Sequence, residues 1–213
     1  AASDVYKRQV LLMDYNRPIY RDKLLPLGRL RESRHSVNRA DMMIVTKCPD
    51  NIMPIDFRLV SKELDLMTYQ KLFFSRYEYG GLMPVFPDDS PYRVMLSQLT
   101  SSDTVLLLTG IAHPRYFVRH FRNYPFKVKV DHFPDHHDFT RSDLEKLKQK
   151  FDGLSGEHKI IVTTEKDAVR LAYNPYYPRS LKAVTYYLPI GVKMVNGLDD
   201  SNFIEELRAA VKG

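Results

Sequence analysis

With a single cysteine, Cys48, the chain cannot form an internal disulfide, and nothing in it asks for an oxidising compartment. No apolar run approaches the ~20 residues that span a bilayer; the longest are short, strand-like stretches such as Val105 to Leu108. Internal repeats and low-complexity tracts are missing, which sets aside solenoids and biased linkers. A phosphate-cradling Walker A loop requires Gly-x4-Gly-Lys-Ser/Thr, and none of the nine glycines is followed by lysine. These residues contain no P-loop. An aromatic RNA-binding motif is equally missing, so no nucleic acid is expected as partner.

What the chain has is enough apolar material for a core: 44% hydrophobic residues in 213. The formal charge of +6 is modest, but its distribution is uneven. Between Tyr15 and Arg39 stand Arg17, Arg21, Lys23, Arg29, Arg31, Arg34 and Arg39 against only Asp22 and Glu32, a local excess of five. Such a field suits an anionic partner, a phosphate or a membrane headgroup surface; the plain alternative is a solvated face.

The first nine residues lack an initiator Met and read as a non-native leader. They run into Val10 to Asp14, a strand of the buried parallel type, which expects neighbours on both sides and hence further strands upstream. Met42 to Thr46 reads as a second strand, and Ile55 to Leu66 as a short amphipathic helix with Phe57, Val60 and Leu64 on one face. Lys71 to Tyr77 and Leu82 to Phe86 flank Gly80-Gly81 and read as two extended segments of a hairpin-like connector, Pro84 confining the second to a sheet edge. From residue 103 strands and helices alternate: strands at Thr104 to Thr109, Phe126 to Val130, Lys159 to Thr163 and Val184 to Leu188; helices from Pro114, Arg141 and Glu165, and over Asn202 to Val211. This rhythm implies βαβ crossovers and a mostly parallel sheet, an α/β fold. Thr140 with Asp143 and Thr164 with Asp167 are helix-start signals. Phe203, Ile204, Leu207 and Val211 give the last helix an apolar face.

Ligands of open parallel sheets gather beyond the carboxyl ends of the strands. Three polar segments follow strand ends here: Gly110 to Pro114, Phe133 to Thr140, and Thr163 to Asp167. In Asp135-His136-His137-Asp138, imidazoles that titrate near neutrality stand beside carboxylates able to orient them. Three roles fit: general acid/base chemistry, a metal site of the phosphohydrolase kind with Asp14 and His113 as isolated further candidates, or a capping loop. Lys166, a cation in a first helical turn, opposes the dipole there and suits a carboxylate or phosphate partner. Leu24 to Glu32 mixes rigid turn residues with two arginines and a glutamate; arginine forks suit phosphate, and Glu32 could take a Mg²⁺ that also touches phosphates.

Four segments together resemble the tetraacyldisaccharide 4'-kinase family: Leu24-Leu25-Pro26-Leu27-Gly28-Arg29-Leu30-Arg31-Glu32, Gly110-Ile111-Ala112-His113-Pro114, Phe133-Pro134-Asp135-His136-His137, and Thr164-Glu165-Lys166-Asp167-Ala168-Val169. Their order and spacing match over residues 10 to 211; Ala112 stands where members often have glycine. The resemblance implies a P-loop kinase of two three-layer α/β/α domains joined by a two-stranded linker. It would work with ATP and Mg²⁺ at the cytoplasmic face of the bacterial inner membrane, in peripheral contact with it, phosphorylating the 4' position of a lipid A disaccharide precursor. It divides this chain into a leader (1–9), a remnant of the P-loop kinase domain (10–68), the linker (69–95) and a smaller C-terminal α/β domain (96–213). His136 then looks like the histidine that pairs with the catalytic aspartate base, with Asp135 beside it in the catalytic group. Glu32 looks like the carboxylate near Mg²⁺-ATP, with Arg31 beside it. The alternatives are a non-catalytic α/β module binding anionic lipid or phosphate, and a metal-dependent phosphohydrolase built on Asp135-His136-His137.

Overall fold

In the computed structural model, which describes residues 8–90, 92–195 and 200–212, the chain forms two compact units. The first comprises residues 1–78 and 191–213, the second Tyr79–Ile190. The leader expectation falls almost wholly on residues outside those described.

The first unit is built on a four-stranded sheet in the order β1-β2-β3-β9. Here β1 is Val10–Asp14, β2 Met42–Thr46, β3 Lys71–Tyr79 and β9 Ile190–Val195. β1 and β3 both run parallel to β2. Alternation along the strands sorts their side chains onto two faces. Met13, Val45 and Phe74 pack with Phe57 and Val60 of helix α1 (Pro54–Leu64). Met42, Ile44 and Phe73 meet Phe203 of helix α6 (Asp200–Lys212), whose ring lies edge-on to Phe73 at 5.1 Å. The predicted apolar face of α6 is only partly used: Phe203 packs on the sheet, Ile204 and Leu207 stay exposed, and the Val211 side chain lies outside those described. β1 is less buried than its composition suggests, with Val10 and Leu12 exposed, because it occupies the sheet edge. Cys48 is free and buried; burial pushes its thiol up to about 11, which keeps it protonated and unreactive.

The second unit holds a five-stranded sheet in the order β4-β8-β7-β5-β6. Its strands are β4 (Met83–Pro84), β5 (Thr104–Thr109), β6 (Lys127–His132), β7 (Lys159–Thr164) and β8 (Thr185–Leu188). All pairs are parallel except β4 with β8, and Pro84 sits in an edge strand as its missing N–H requires. Val105, Leu107, Ile160 and Val162 face helix α2 (Arg115–Arg122) through Phe117 and Phe121. Leu106, Leu108 and Ile161 face helices α3 (Arg141–Asp152), α4 (Glu165–Ala172) and α5 (Arg179–Lys182). Helices thus cover both faces, the three-layer α/β/α arrangement expected of strands that are apolar on both sides.

Two expectations need correction. Lys71 to Tyr77 and Leu82 to Phe86 do not form a hairpin: the first lies within β3, hydrogen-bonded to β2 with Phe73 and Phe74 buried, and the second carries β4, paired with β8 in the other sheet. Residues 191–213 do not join 96–190, because β9 pairs at the free edge of β3 and carries α6 back to the first unit. β9 escapes sequence detection because Gly191 and Lys193 interrupt its apolar pattern.

Candidate functional site

The carboxyl ends of β5, β6 and β7 lie side by side, so the segments that follow them share one edge of the second sheet. Asp167 ties this edge together. It is fully buried in the first turn of α4, and its Oδ2 accepts the Gly110 N–H at 2.9 Å and the Thr164 hydroxyl at 2.8 Å. The fit is close, since a Cβ on Gly110 would stand 3.3 Å from Asp167 Oδ1 and 3.5 Å from the Pro134 carbonyl. Gly110 passes the link on: its carbonyl accepts the His136 N–H at 3.2 Å.

His136 adopts φ +60°, the left-handed region that non-glycine residues seldom occupy, at a cost of order 1 kcal/mol or more that clusters at functional sites. Its N–H also lies 3.0 Å from the Asp135 carboxylate. The turn leaves the imidazole 70% exposed at the edge, with charged groups at both ring nitrogens. Lys166 Nζ lies 3.3 Å from Nε2 and Arg170 Nη2 lies 3.1 Å from Nδ1. Asp135 Oδ2 is 3.6 Å from Nε2, and its other oxygen accepts from Lys166 at 3.1 Å. The Lys166 hydrogen bond, with the nearby His136, holds the Asp135 carboxyl below its usual range, so it is an anion at neutral pH. Arg170 Nη1 completes the cluster 3.7 Å from Asp167 Oδ1, an ion pair rather than a hydrogen bond. A neutral imidazole has one lone pair, so only one of the two cationic donors is accepted at a time and the ring tautomer follows that choice.

His137 belongs to a different network. Its Nε2 lies 2.9 Å from Asp143 Oδ2 and its ring stacks on Phe133 at 4.7 Å between centroids. The same Asp143 oxygen accepts the Thr140 hydroxyl at 2.7 Å and the Thr140 N–H at 2.9 Å, the capping box foreseen at the start of α3. The two imidazoles therefore diverge, and among the described residues no three His, Cys, Asp or Glu side chains come together to hold a metal. Asp14 is engaged by Lys47 at 2.6 Å in the other unit. The phosphohydrolase reading of Asp135-His136-His137 is corrected accordingly: one histidine faces the sheet edge and the other serves a helix cap.

The Thr140 hydroxyl, followed by His137, depresses Asp143 to about 2. A carboxyl depressed on folding adds stability above its unfolded value of about 3.9, and that stability is lost as pH falls towards the folded value. Asp143→Asn is expected to flatten the acid branch of the stability profile between pH about 4 and about 2. Urea midpoints across that window measure it, and an unchanged slope would mean the cap is not linked to protonation.

In the first unit, Arg31 and Glu32 line a cavity of about 390 Å³ with a floor of Val10, Leu11, Ile19, Leu30 and Val37. The size suits a small ligand. Glu32 is held by Arg39 across the solvent-exposed rim, while Arg31 and Arg34 make no ion pair among the described residues. Gly28 closes the preceding loop: its N–H donates to the Leu24 carbonyl at 2.9 Å, and a Cβ there would stand 2.0 Å from the Lys23 carbonyl oxygen, so no other residue fits.

Sequence reasoning thus located Asp135, His136 and Lys166 correctly as neighbours of one edge, and missed Arg170 and the role of Asp167 as the tie to Gly110. The available signal for Arg170 was its spacing of four from Lys166, which places both on one face of α4.

The family model for "Tetraacyldisaccharide-1-P 4'-kinase" matches residues 7–212. The chain is 45% identical over 197 residues to a tetraacyldisaccharide 4'-kinase of Bacteroides thetaiotaomicron, an alignment covering 90% of this chain and 52% of the relative. It is 41% identical over 204 residues to that of Bacteroides fragilis strain YCH46, covering 95% and 54%. To that of Porphyromonas gingivalis strain W83 it is 44% identical over 191 residues, covering 87% and 51%. The chain spans about half the length of the curated relatives it matches. With an α/β fold of mostly parallel sheets and a family match over nearly its whole length, the chain belongs to the tetraacyldisaccharide-1-P 4'-kinase family.

Proposed function

We propose that this chain forms part of an ATP-dependent lipid kinase that transfers the γ-phosphoryl group to the 4'-hydroxyl of a tetraacyldisaccharide 1-phosphate in lipid A biosynthesis. The observation that carries the proposal is the His136 imidazole, held in a left-handed turn at the carboxyl edge of a parallel sheet with charged groups at both ring nitrogens. Phosphoryl transfer asks the protein for positioning and charge stabilisation more than for covalent chemistry. In this reading His136 partners a carboxylate base that takes the proton of the attacking hydroxyl, and Asp135, Lys166 and Arg170 hold the ring in one orientation.

Arg31 and Glu32 serve the nucleotide. Arg31, with no ion pair among the described residues, is available to a phosphate oxygen. Glu32 offers one carboxylate, which suits a Mg²⁺ held mainly by phosphate oxygens and water once Arg39 releases the side chain. The metal, when bound, neutralises charge on the transferring phosphates. No helix among the described residues is long and apolar enough to cross a membrane. The proposed place of work is the cytoplasmic face of the inner membrane, by peripheral contact, with the basic Tyr15–Arg39 segment facing anionic headgroups.

The test sets these 213 residues beside a full-length protein that contains them together with a P-loop. With radiolabelled ATP and the disaccharide precursor, the full-length protein is expected to label the 4' position and the 213 residues alone to leave it unlabelled. Failure of the full-length protein would sink the kinase reading. Labelling by the isolated chain would show that phosphate can be cradled without a Walker A loop.

A further inference from the structure

Beyond the carboxyl ends of β1 and β2, where a parallel sheet gathers its ligands, the first unit holds a narrow slot of about 170 Å³. Tyr15, Pro18 and Tyr20 reach it from the segment after β1, and Leu59 and Val60 from α1. The Tyr15 N–H donates to the Thr46 carbonyl at 2.9 Å, which fixes this tyrosine just past the strand ends. Both tyrosines are half-buried against the core beneath, and the Arg21 guanidinium lies 5.9 Å from the Tyr20 ring centre, within cation–π reach. The volume falls well short of the ~300 Å³ at which pockets for whole small molecules begin, so the slot takes a single ring system. Aromatic and apolar walls suit a flat guest with a π-face, as every nucleobase has.

One acid interrupts these walls. Asp56 Oδ2 accepts the Met53 N–H at 2.9 Å, bracing the start of α1, and Oδ1 has no hydrogen-bond partner among the described residues. Burial, followed by the Asp56 charge, raises the Tyr15 hydroxyl above its ordinary value, so this ring stays neutral beside the carboxylate. A single open acceptor suits a base with one exocyclic amine, as adenine has. Guanine places two adjacent donors on one edge, which call for both oxygens of a carboxylate, and here one is already engaged. The slot also adjoins the cavity of Arg31 and Glu32: Ile19 lines that cavity, while its neighbours Pro18 and Tyr20 line the slot.

We propose that this slot takes the adenine base of the nucleotide, Tyr15 and Tyr20 packing against the ring and Asp56 Oδ1 accepting its 6-amino group. The inference rests on the nucleotide reading given above and adds to it the residues that select the base. Asp56 is the specificity-determining group, since the apolar walls accept any base and only the open oxygen distinguishes an amine from a carbonyl at the same position.

The experiment measures displacement of fluorescent mant-ATP from a full-length protein that contains these residues together with a P-loop, with ATP and inosine triphosphate as competitors. Inosine carries a carbonyl where adenine carries the amine, so the wild type is expected to hold ATP about ten-fold more tightly or better. In Asp56→Asn the carboxamide oxygen still receives the Met53 N–H, while its amino group turns the open acceptor into a donor. The preference should then fall to parity or invert, a change that damage to the fold does not produce. Tyr20→Ala should weaken both nucleotides about ten-fold through lost stacking, and Tyr20→Phe should restore them. Lys62→Gln, at an exposed position of α1 outside the slot, should change neither. Equal wild-type affinities, a preference that survives Asp56→Asn, or a Lys62→Gln loss as large as that of Tyr20→Ala would overturn the base site and leave the nucleotide reading standing. Failure of the full-length protein to bind ATP at all would remove that reading, and this inference with it.

Discussion

Asp167→Ala is expected to destabilise the Tyr79–Ile190 unit by about 3 kcal/mol, read as a fall in the urea midpoint at constant slope. The figure follows from what the carboxylate holds. Asp167 is 0% exposed, and its removal strands the Gly110 amide, the Thr164 hydroxyl and the inner nitrogen of Arg170 in a site without water-facing surface. Buried donors left unpaired cost more than the hydrogen bonds themselves contributed. Asp167→Asn keeps an acceptor for Gly110 but loses the charge facing Arg170, and should fall between wild type and alanine. A loss below about 1 kcal/mol would show that the edge is held by packing instead. Because the Gly110 carbonyl carries the His136 N–H, faster amide exchange at His136 should accompany the loss.

His136→Ala in a full-length kinase containing this segment is expected to lower turnover about a hundred-fold or more while leaving ATP affinity within about two-fold. The imidazole meets Asp135, Lys166 and Arg170, whereas the residues proposed for the nucleotide, Arg31 and Glu32, line a cavity of the other unit. A group that acts on the attacking hydroxyl affects the chemical step, not nucleotide binding. Lys166→Met and Arg170→Met should each have smaller effects, since they act by orienting the ring, and the ring's NMR signature should change in both. Unchanged turnover in His136→Ala would remove the residue from the mechanism, and a matching loss of ATP affinity would reassign it to the nucleotide.

Much of the second unit was legible in the sequence because its signals are local. The strand Thr104–Thr109 is apolar on both faces, Thr140 and Thr164 start their helices as side-chain caps, and Pro84 marks an edge. The same locality placed Asp135, His136 and Lys166 after strand ends, and parallel-sheet topology then dictates a shared edge. Strand partners are another matter. Nothing in Lys71–Tyr79 or Ile190–Val195 states that the two pair with each other, so the expected hairpin and the expected 96–213 domain both failed on long-range hydrogen bonding.

The chain by itself determined the family, the α/β class, the order of most elements though not β9 or α5, and which residue types follow the strand ends, all carried by spacing along the backbone. Tertiary structure decided what those residues touch. It sent His136 to two cations and His137 to a helix cap one residue away, gave Asp167 to Gly110 across 57 positions, and gathered Tyr15, Tyr20 and Asp56 around one cavity. Periodicity is a property of neighbours in sequence, whereas charge and hydrogen-bond partners are set by which strand ends and loop closures meet in space.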